Sequence, residues 1–393
     1  MHSKIQLTSS TFFDDETTRS KLAKFILKSR ILSMSNKCSE FEKKFSEKFK
    51  LKDSVLVNSG SSANLALIQS LINLGLLNKS DKVAFSALTW STNVMPIIQL
   101  GLTPVPVDVS LNTLNISPSI FEEFLTKHKK IKALFITNVL GLCDDLLSIK
   151  KICEKNNILL IEDNCESLGS ELDKKTLGTF GIASTHSFFV GHHLSTIEGG
   201  MISSSSDKLI AMLKIVRAHG WSRNLKGREK KILKIKKDND FYEKYKFHFL
   251  GYNLRPTEIT GFIGLNQLTY LDKIISTRMN NYNYLRDKLN HEYFYDIHNK
   301  KMNKISNFAY PLVFKKKVNI PKISSRLNEL KIENRPIIAG NITKHFFYKN
   351  YFKKFKLKNS DYIHKYGLYI PNHEGLSKND LRYIVNCIEN FYE

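Results

Sequence analysis

The sequence predicts an α/β fold: a seven-stranded, mostly parallel sheet covered by helices on both faces, followed by a smaller C-terminal α+β domain. Three observations carry this. Short β-branched or aliphatic runs alternate with helical patterns up to about Ser205, the pattern of strands joined by crossover helices. Those runs are largely apolar, as strands buried on both faces require. After Thr257 the alternation stops and a long helical pattern takes over.

The elements follow in order. "SVLVNS" leads into the helix "SANLALIQSLINLGLL", and "KVAFS" is followed by "NVMPIIQLG". "PVPVDV", "KALFITNV", "ILLIEDN", "STHSFF" and "GGMISSS" complete seven strand candidates. The spacing then predicts one long helix over "TEITGFIGLNQLTYLDKIISTRMNNYNYLRDKL", capped by Thr257, a strand at "NFAYPLVF", a helix near Ser324 to Leu330, and a terminal helix capped by Ser377. The expected division is a large domain over residues 1–256 and a smaller one over 257–393. There is no internal repeat.

Bulk properties exclude several classes. With 42% hydrophobic and 25% charged residues the chain reads as globular. It has no apolar run long enough to span a membrane, and its start lacks the apolar core of an export signal. The net charge of +23 is spread over the chain. Its densest run, Lys226 to Lys237, lacks the aromatic interleaving of a nucleic-acid platform, so it reads as a solvated face. Five dispersed cysteines without a CxxC pair read as reduced thiols of a cytoplasmic protein.

In a mostly parallel sheet, ligands bind beyond the strand ends, and the unusual residues fall there. "NSGSSANLAL" is a strand end, a turn and a helix start, where Gly60 permits close approach and Ser61 offers a hydroxyl beside free helix N–H groups. That suits a phosphate, though serine caps are common. Trp90 follows a strand, and either fills the core or stacks on a flat ligand. Glu162 and Asp163 end a buried strand, where a carboxylate is costly unless it meets a cation or a protonated ring nitrogen; a salt bridge is the plain reading. "GYNLRPTE" is a turn before the long helix.

Taken together, in this order and ending in Ser187, these stretches resemble a fold-type I pyridoxal-phosphate enzyme, in particular the DegT/DnrJ/StrS family of nucleotide-sugar aminotransferases. The resemblance runs to the C-terminal "GLYIPNHEGLS". It implies that Gly60, Ser61 and Ser187 hold the cofactor phosphate, that Trp90 stacks on the ring, and that Asp163 pairs with the ring nitrogen. Glu166 would lie near the phenolic oxygen. Asn253 would reach a phosphate across the interface of a homodimer with shared active sites. His219 and Glu333 are candidate substrate contacts.

One position departs from the family pattern. The lysine that tethers the cofactor stands five residues after that serine, and here the position is His192. No lysine occurs between Lys175 and Lys208. Imidazole forms no Schiff base but moves protons near neutral pH. The substitution, with "SFFVGHHLSTIEGG", "EDNCESLGS" and "ENRPIIAGN", resembles a subgroup, the 3-dehydratases of nucleotide-linked 4-keto-6-deoxy sugars. The implied cofactor is pyridoxamine phosphate, regenerated from pyridoxal phosphate with L-glutamate as amino donor. His192 would be the acid/base that serves removal of the C3 hydroxyl. One branch of the subgroup uses a cysteine-held iron–sulfur cluster; "RAHGWSRNLKGREKK" contains no cysteine, which favours the cluster-free branch acting on GDP-4-keto-6-deoxymannose in cell-surface polysaccharide synthesis. His193 reads as structural. A zinc site is disfavoured, since adjacent histidines seldom share one ion and no further ligands are spaced for it. Two alternatives stay open: an aminotransferase using a lysine from elsewhere, and a non-catalytic sugar-nucleotide-binding regulator.

Overall fold

A computed structural model describes residues 3–236, 239, 241–352 and 355–390. All seven expected strands form one sheet: β1 (Asp53–Val57), β2 (Lys82–Ser86), β3 (Thr103–Val107), β4 (Ile131–Thr137), β5 (Leu159–Asp163), β6 (Ala183–Ser187) and β7 (Gly200–Ser204). Their order is β1-β7-β6-β5-β4-β2-β3, parallel except for β7, which runs antiparallel to both neighbours. β1, β2, β4, β5 and β6 therefore all end at the same edge of the sheet, where the loops after them converge.

Both sheet faces are buried, and alternation along a strand divides its residues between them. In β4, Leu134 and Ile136 join a core shared with the C-terminal residues Tyr310, Leu312 and Ile370. Ala133 and Phe135 join the core on the other face, with Leu67, Ile68 and Leu213. In the C-terminal part, Tyr310–Val313 and Gly367–Ile370 pair antiparallel, and the helices Ile320–Glu329 and Lys378–Glu389 flank them, the latter capped by Ser377.

The sequence-based expectation is corrected in two places. The long helix is two, α4 (Glu258–Leu268) and α5 (Leu271–Lys288). The break has a local cause: the Thr269 hydroxyl donates to the Asn266 carbonyl (2.7 Å), and the Thr269 and Tyr270 amides close tight turns onto Asn266 and Gln267. Thr257 caps α4 as expected, accepting from Thr260 N at 3.3 Å. Before β1, where no element was expected, lie α1 (Asp15–Lys28) and α2 (Asn36–Lys48), and Gly60–Asn73 after it is α3. α4 packs on α2 through two glycines. A Cβ on Gly264 would stand 2.4 Å from the Phe41 ring, and one on Gly261 2.5 Å from the Cys38 nitrogen. The basic run from Lys226 forms a short helix, Gly227–Ile232, with no buried residue; its end, Lys237, lies outside the described residues.

Candidate active site

Beyond the strand ends lies a cavity of about 420 Å³, within the range of small-molecule sites. Ser59, Gly60 and Ser61 reach it from the start of α3, Trp90 from the loop after β2, Asp163, Cys165 and Glu166 from β5 and its loop, and Ser187, Phe189 and His192 from β6 and its loop. Phe308 and Tyr369 close it from the C-terminal part. Gly60, Ser61, Trp90, Asp163, Glu166, Ser187 and His192, far apart in sequence, thus share one wall.

The α3 start is built to present backbone donors. Ser59 caps the helix, its hydroxyl accepting from Ser62 N (3.0 Å), while the amides of Gly60 and Ser61 belong to the first turn, whose N–H groups the helix cannot use itself. Gly60 is required by packing: a Cβ there would stand 2.7 Å from that of Ser187. Trp90 is 54% exposed, so the core-filling reading fails and its ring is open to a ligand.

Asp163 is 4% exposed, and among the described residues its hydrogen-bond donors are neutral. Its Oδ2 accepts from Asn93 Nδ2 (2.6 Å) and Asn64 Nδ2 (3.1 Å), and its Oδ1 from Cys165 N (2.9 Å). These donors replace the salt bridge expected for a buried strand-end carboxylate. Glu162 points elsewhere: it accepts from the backbone amides of Gly178, Phe180 and Gly181 at 2.7–2.9 Å and pins that loop. Glu166 accepts from Leu140 N (2.9 Å). Burial, reinforced by the Asp163 charge, pushes its carboxyl up to about 8.

The two histidines part company. His192 is half-buried in the cavity wall, its ring 5.1 Å from that of Phe308, and its Nδ1 is shielded from solvent. Burial, and then the Arg278 charge, push the imidazole down to about 4, so the ring is neutral at pH 7. His193 is 2% exposed and bonds through Nε2 to the Ser306 carbonyl (2.9 Å), the structural place expected for it.

Three candidates lie outside this cavity in the single chain. Asn253 and His219 are exposed on adjoining strands of backbone, with His219 N donating to Tyr252 O (2.7 Å). Glu333 accepts from Leu7 N (3.0 Å) and pairs with Arg335 (2.5 Å). Sequence reasoning missed Asn64 and Asn93, the donors to Asp163, and Phe308 and Tyr369. A polar residue on the buried side of the α3 pattern was the available sign for Asn64, and the stretch "GLYIPNHEGLS" for Tyr369; Asn93 and Phe308 carry none. No lysine is among the described residues lining the cavity.

The model of the DegT/DnrJ/EryC1/StrS aminotransferase family matches residues 14–389. The chain belongs to this family. One family relative, the GDP-4-keto-6-deoxy-D-mannose 3-dehydratase of Escherichia coli O55:H7, is 36% identical over 375 residues, covering 94% of this chain and 95% of the relative. The enzyme of that name from Yersinia pseudotuberculosis is 36% identical over 358 residues, 89% of this chain and 90% of the relative. A crystal structure of GDP-4-keto-6-deoxymannose-3-dehydratase with a trapped PLP–glutamate geminal diamine superposes with a TM-score of 0.90 at 35% identity, over 97% of this chain and 99% of the other.

The residues present fit the cofactor of this family. The start of α3, Ser61 and Ser187 line the cavity, the exposed Trp90 ring borders it, and Asp163, whose hydrogen-bond donors among the described residues are neutral, lines it too, where a protonated ring nitrogen would complete its pairing. The iron–sulfur alternative asks for clustered thiolates; Cys38, Cys143, Cys153 and Cys387 are buried free thiols in separate elements, and Cys165 alone borders the cavity.

Proposed function

We propose that the chain is a pyridoxamine-phosphate-dependent 3-dehydratase that removes the C3 hydroxyl of a GDP-linked 4-keto-6-deoxymannose. One observation carries the reading: an imidazole, and no lysine among the described residues, stands in the wall of a cavity otherwise furnished for this cofactor. The family relatives above, named GDP-4-keto-6-deoxy-D-mannose 3-dehydratase, support the GDP-linked 4-keto-6-deoxymannose as the substrate. The lysine-free wall counts against an aminotransferase drawing a lysine from elsewhere in the chain, and the intact wall counts against a decayed, non-catalytic regulator.

When bound, the cofactor supplies an amine for a sugar ketone and a conjugated ring that accepts electrons. The chain does the rest. Gly60, Ser61 and Ser187 hold the phosphate, Trp90 covers one ring face, and Asp163, fixed by Asn64 and Asn93, keeps a ring nitrogen protonated. His192, neutral at pH 7, takes a proton at its unprotonated ring nitrogen and returns it to the departing hydroxyl; one group serving both steps needs no second acid. Glu166, protonated at pH 7, has a hydrogen to donate to a phenolic oxygen.

L-Glutamate is the amino donor in this reading, as the geminal diamine in the related structure suggests. The working unit is a homodimer in which Asn253 of each chain completes the phosphate site of the other, with His219 and Glu333 toward the substrate. Phe189 and Ile197, both exposed in the single chain, are the apolar rim such a partner would cover. No helix among the described residues is long and apolar enough to cross a membrane, in keeping with a cytoplasmic enzyme.

The test is ammonia release from GDP-4-keto-6-deoxymannose in the presence of pyridoxamine phosphate, alongside CDP-, UDP- and dTDP-linked 4-keto sugars. Release with the GDP sugar, abolished in His192→Asn, is expected. A borohydride-reducible, protein-linked cofactor would overturn the reading in favour of an aminotransferase, and silence with every sugar would favour a binding protein.

A further inference from the structure

Among the described residues, Glu166 takes its hydrogen bond from a strained turn. Leu140 N, in the tight turn Val139–Gly141 after β4, donates to Glu166 Oε2 at 2.9 Å. Leu140 itself is left-handed, with φ 52° and ψ 33°. There the Cβ crowds the following carbonyl oxygen, so a residue other than glycine stays only where its surroundings hold it.

The hold comes from the C-terminal part. Asn307, fully buried and 167 positions along the chain, donates from Nδ2 to the Leu140 carbonyl. Its Oδ1 accepts from Asn372 Nδ2 (3.0 Å), which sets Nδ2 toward the turn. The Gly141 carbonyl takes the Ser170 hydroxyl (2.7 Å), and that hydroxyl accepts from Ser306 N (2.9 Å). A Cβ on Gly141 would stand 2.2 Å from the Ser306 carbonyl oxygen, so Ser306 and Asn307 lie directly on the turn. Asn307 does not itself line the cavity, though its neighbour Phe308 does.

The amide and the carbonyl of Leu140 lie on either side of its φ and ψ. A move to the right-handed or extended region would swing one away from the other, so holding the carbonyl fixes where the N–H points. That direction matters for a neutral carboxyl. One of its oxygens carries the hydrogen, and the other, the carbonyl oxygen, is the stronger acceptor. The Leu140 N–H on Oε2 therefore assigns the carbonyl to Oε2 and the hydrogen to Oε1. Glu166 borders the cavity, and Oε1, without a partner among the described residues, is the oxygen left to serve it.

We propose that Asn307 is a positioning residue for Glu166: by holding the Leu140 carbonyl it keeps the Leu140 amide on Oε2, and so leaves Oε1 to present its hydrogen to a ligand oxygen in the cavity. The inference rests on reading Glu166 as the hydrogen donor to a phenolic oxygen. Asn307 acts only through the turn, so a residue that relieves the turn of its strain should make Asn307 dispensable.

The experiment is infrared difference spectroscopy of the full-length protein at pH 6, where the Glu166 carboxyl, pushed up to about 8, holds its proton. Each spectrum is taken against the same protein carrying Glu166→Gln, which isolates the C=O stretch of that one acid. A hydrogen bond accepted by the carbonyl oxygen lowers this frequency. The wild-type band is expected at the lowered position, and in Asn307→Leu it is expected to move up to that of an unbonded acid. Adding Leu140→Gly, where the left-handed turn meets no hindrance, is expected to bring it back. Asn307→Ser, smaller and still polar, carries the test if Asn307→Leu does not fold. A wild-type band that is absent or already unbonded, a band unmoved in the Asn307 variant that folds, or a shift that Leu140→Gly does not reverse, overturns the proposal. No cofactor, sugar or turnover enters the measurement, so a failure of the assigned reaction and a failure of this inference are told apart.

Discussion

Asn93 Nδ2 lies 2.6 Å from Asp163 Oδ2, so a loop residue after β2 fixes the carboxylate that ends β5. A hydrogen bond to a charged group is worth about 1.5–3 kcal/mol. Asn93→Leu is therefore expected to weaken cofactor binding roughly tenfold or more, by the conversion of about 1.4 kcal/mol per decade. A fluorescence titration with pyridoxal phosphate checks it; unchanged affinity would remove Asp163 from the cofactor site.

Trp90 separates binding from stability. Because the side chain is 54% exposed, Trp90→Ala is expected to change the unfolding free energy by no more than about 0.5 kcal/mol, while cofactor affinity falls. Denaturant unfolding and the same titration, run together, decide between a ligand-facing ring and a packing one.

Glu162 is the opposite case. Glu162→Ala would orphan three backbone amides, two buried and one part-buried, a buried one costing about 1–3 kcal/mol when unpaired. A large loss of thermal stability is expected, measured by calorimetry without cofactor.

Stability should also depend on pH through Glu166. Its carboxyl, near 4.5 when unfolded, is pushed up to about 8 by burial and by Asp163. Between those values the folded protein holds a proton that the unfolded chain has lost, so this stability is fully present below pH 4.5 and is lost as pH rises through 8. Glu166→Gln is expected to flatten the fall between pH 5 and 8 in denaturant titrations. His192 has the reverse sign: pushed down to about 4, it contributes stability above pH 6.5 that is lost as pH falls through 4.

The α2–α4 contact gives the last prediction. Alanine is the better helix former by about 1 kcal/mol, but a Cβ on Gly261 would meet backbone of α2 at 2.5 Å. Overpacking of this kind costs about 1–3 kcal/mol and backbone yields least, so Gly261→Ala is expected to destabilise in chemical denaturation.

The sheet was legible because its strands are buried on both faces and written as apolar runs between turns. The strand-end positions of Asp163 and Ser187 were legible for the same reason, while their link to a cofactor came from the resemblance to the family. The helix break at Thr269 was not, because a hydroxyl taking its own helix's carbonyl leaves the apolar period intact. Asn93 was invisible as a site residue because its bond to Asp163 spans 70 positions, and Asn64, 99 positions from Asp163, showed only as a polar residue on the buried side of α3. Phe308 arrives by long-range folding and carries no local motif, and Tyr369 stands in the stretch "GLYIPNHEGLS" without having been singled out as a site residue. Asn253 and His219 are exposed together in the single chain, away from the cavity.

A cavity wall with no lysine among its described residues also has a bench consequence. Its guest is held only by contacts that come undone on their own, so occupancy follows the free concentration as for any reversible ligand. Exhaustive dialysis is expected to bleach the protein and simple addition to restore its colour, as absorbance would read.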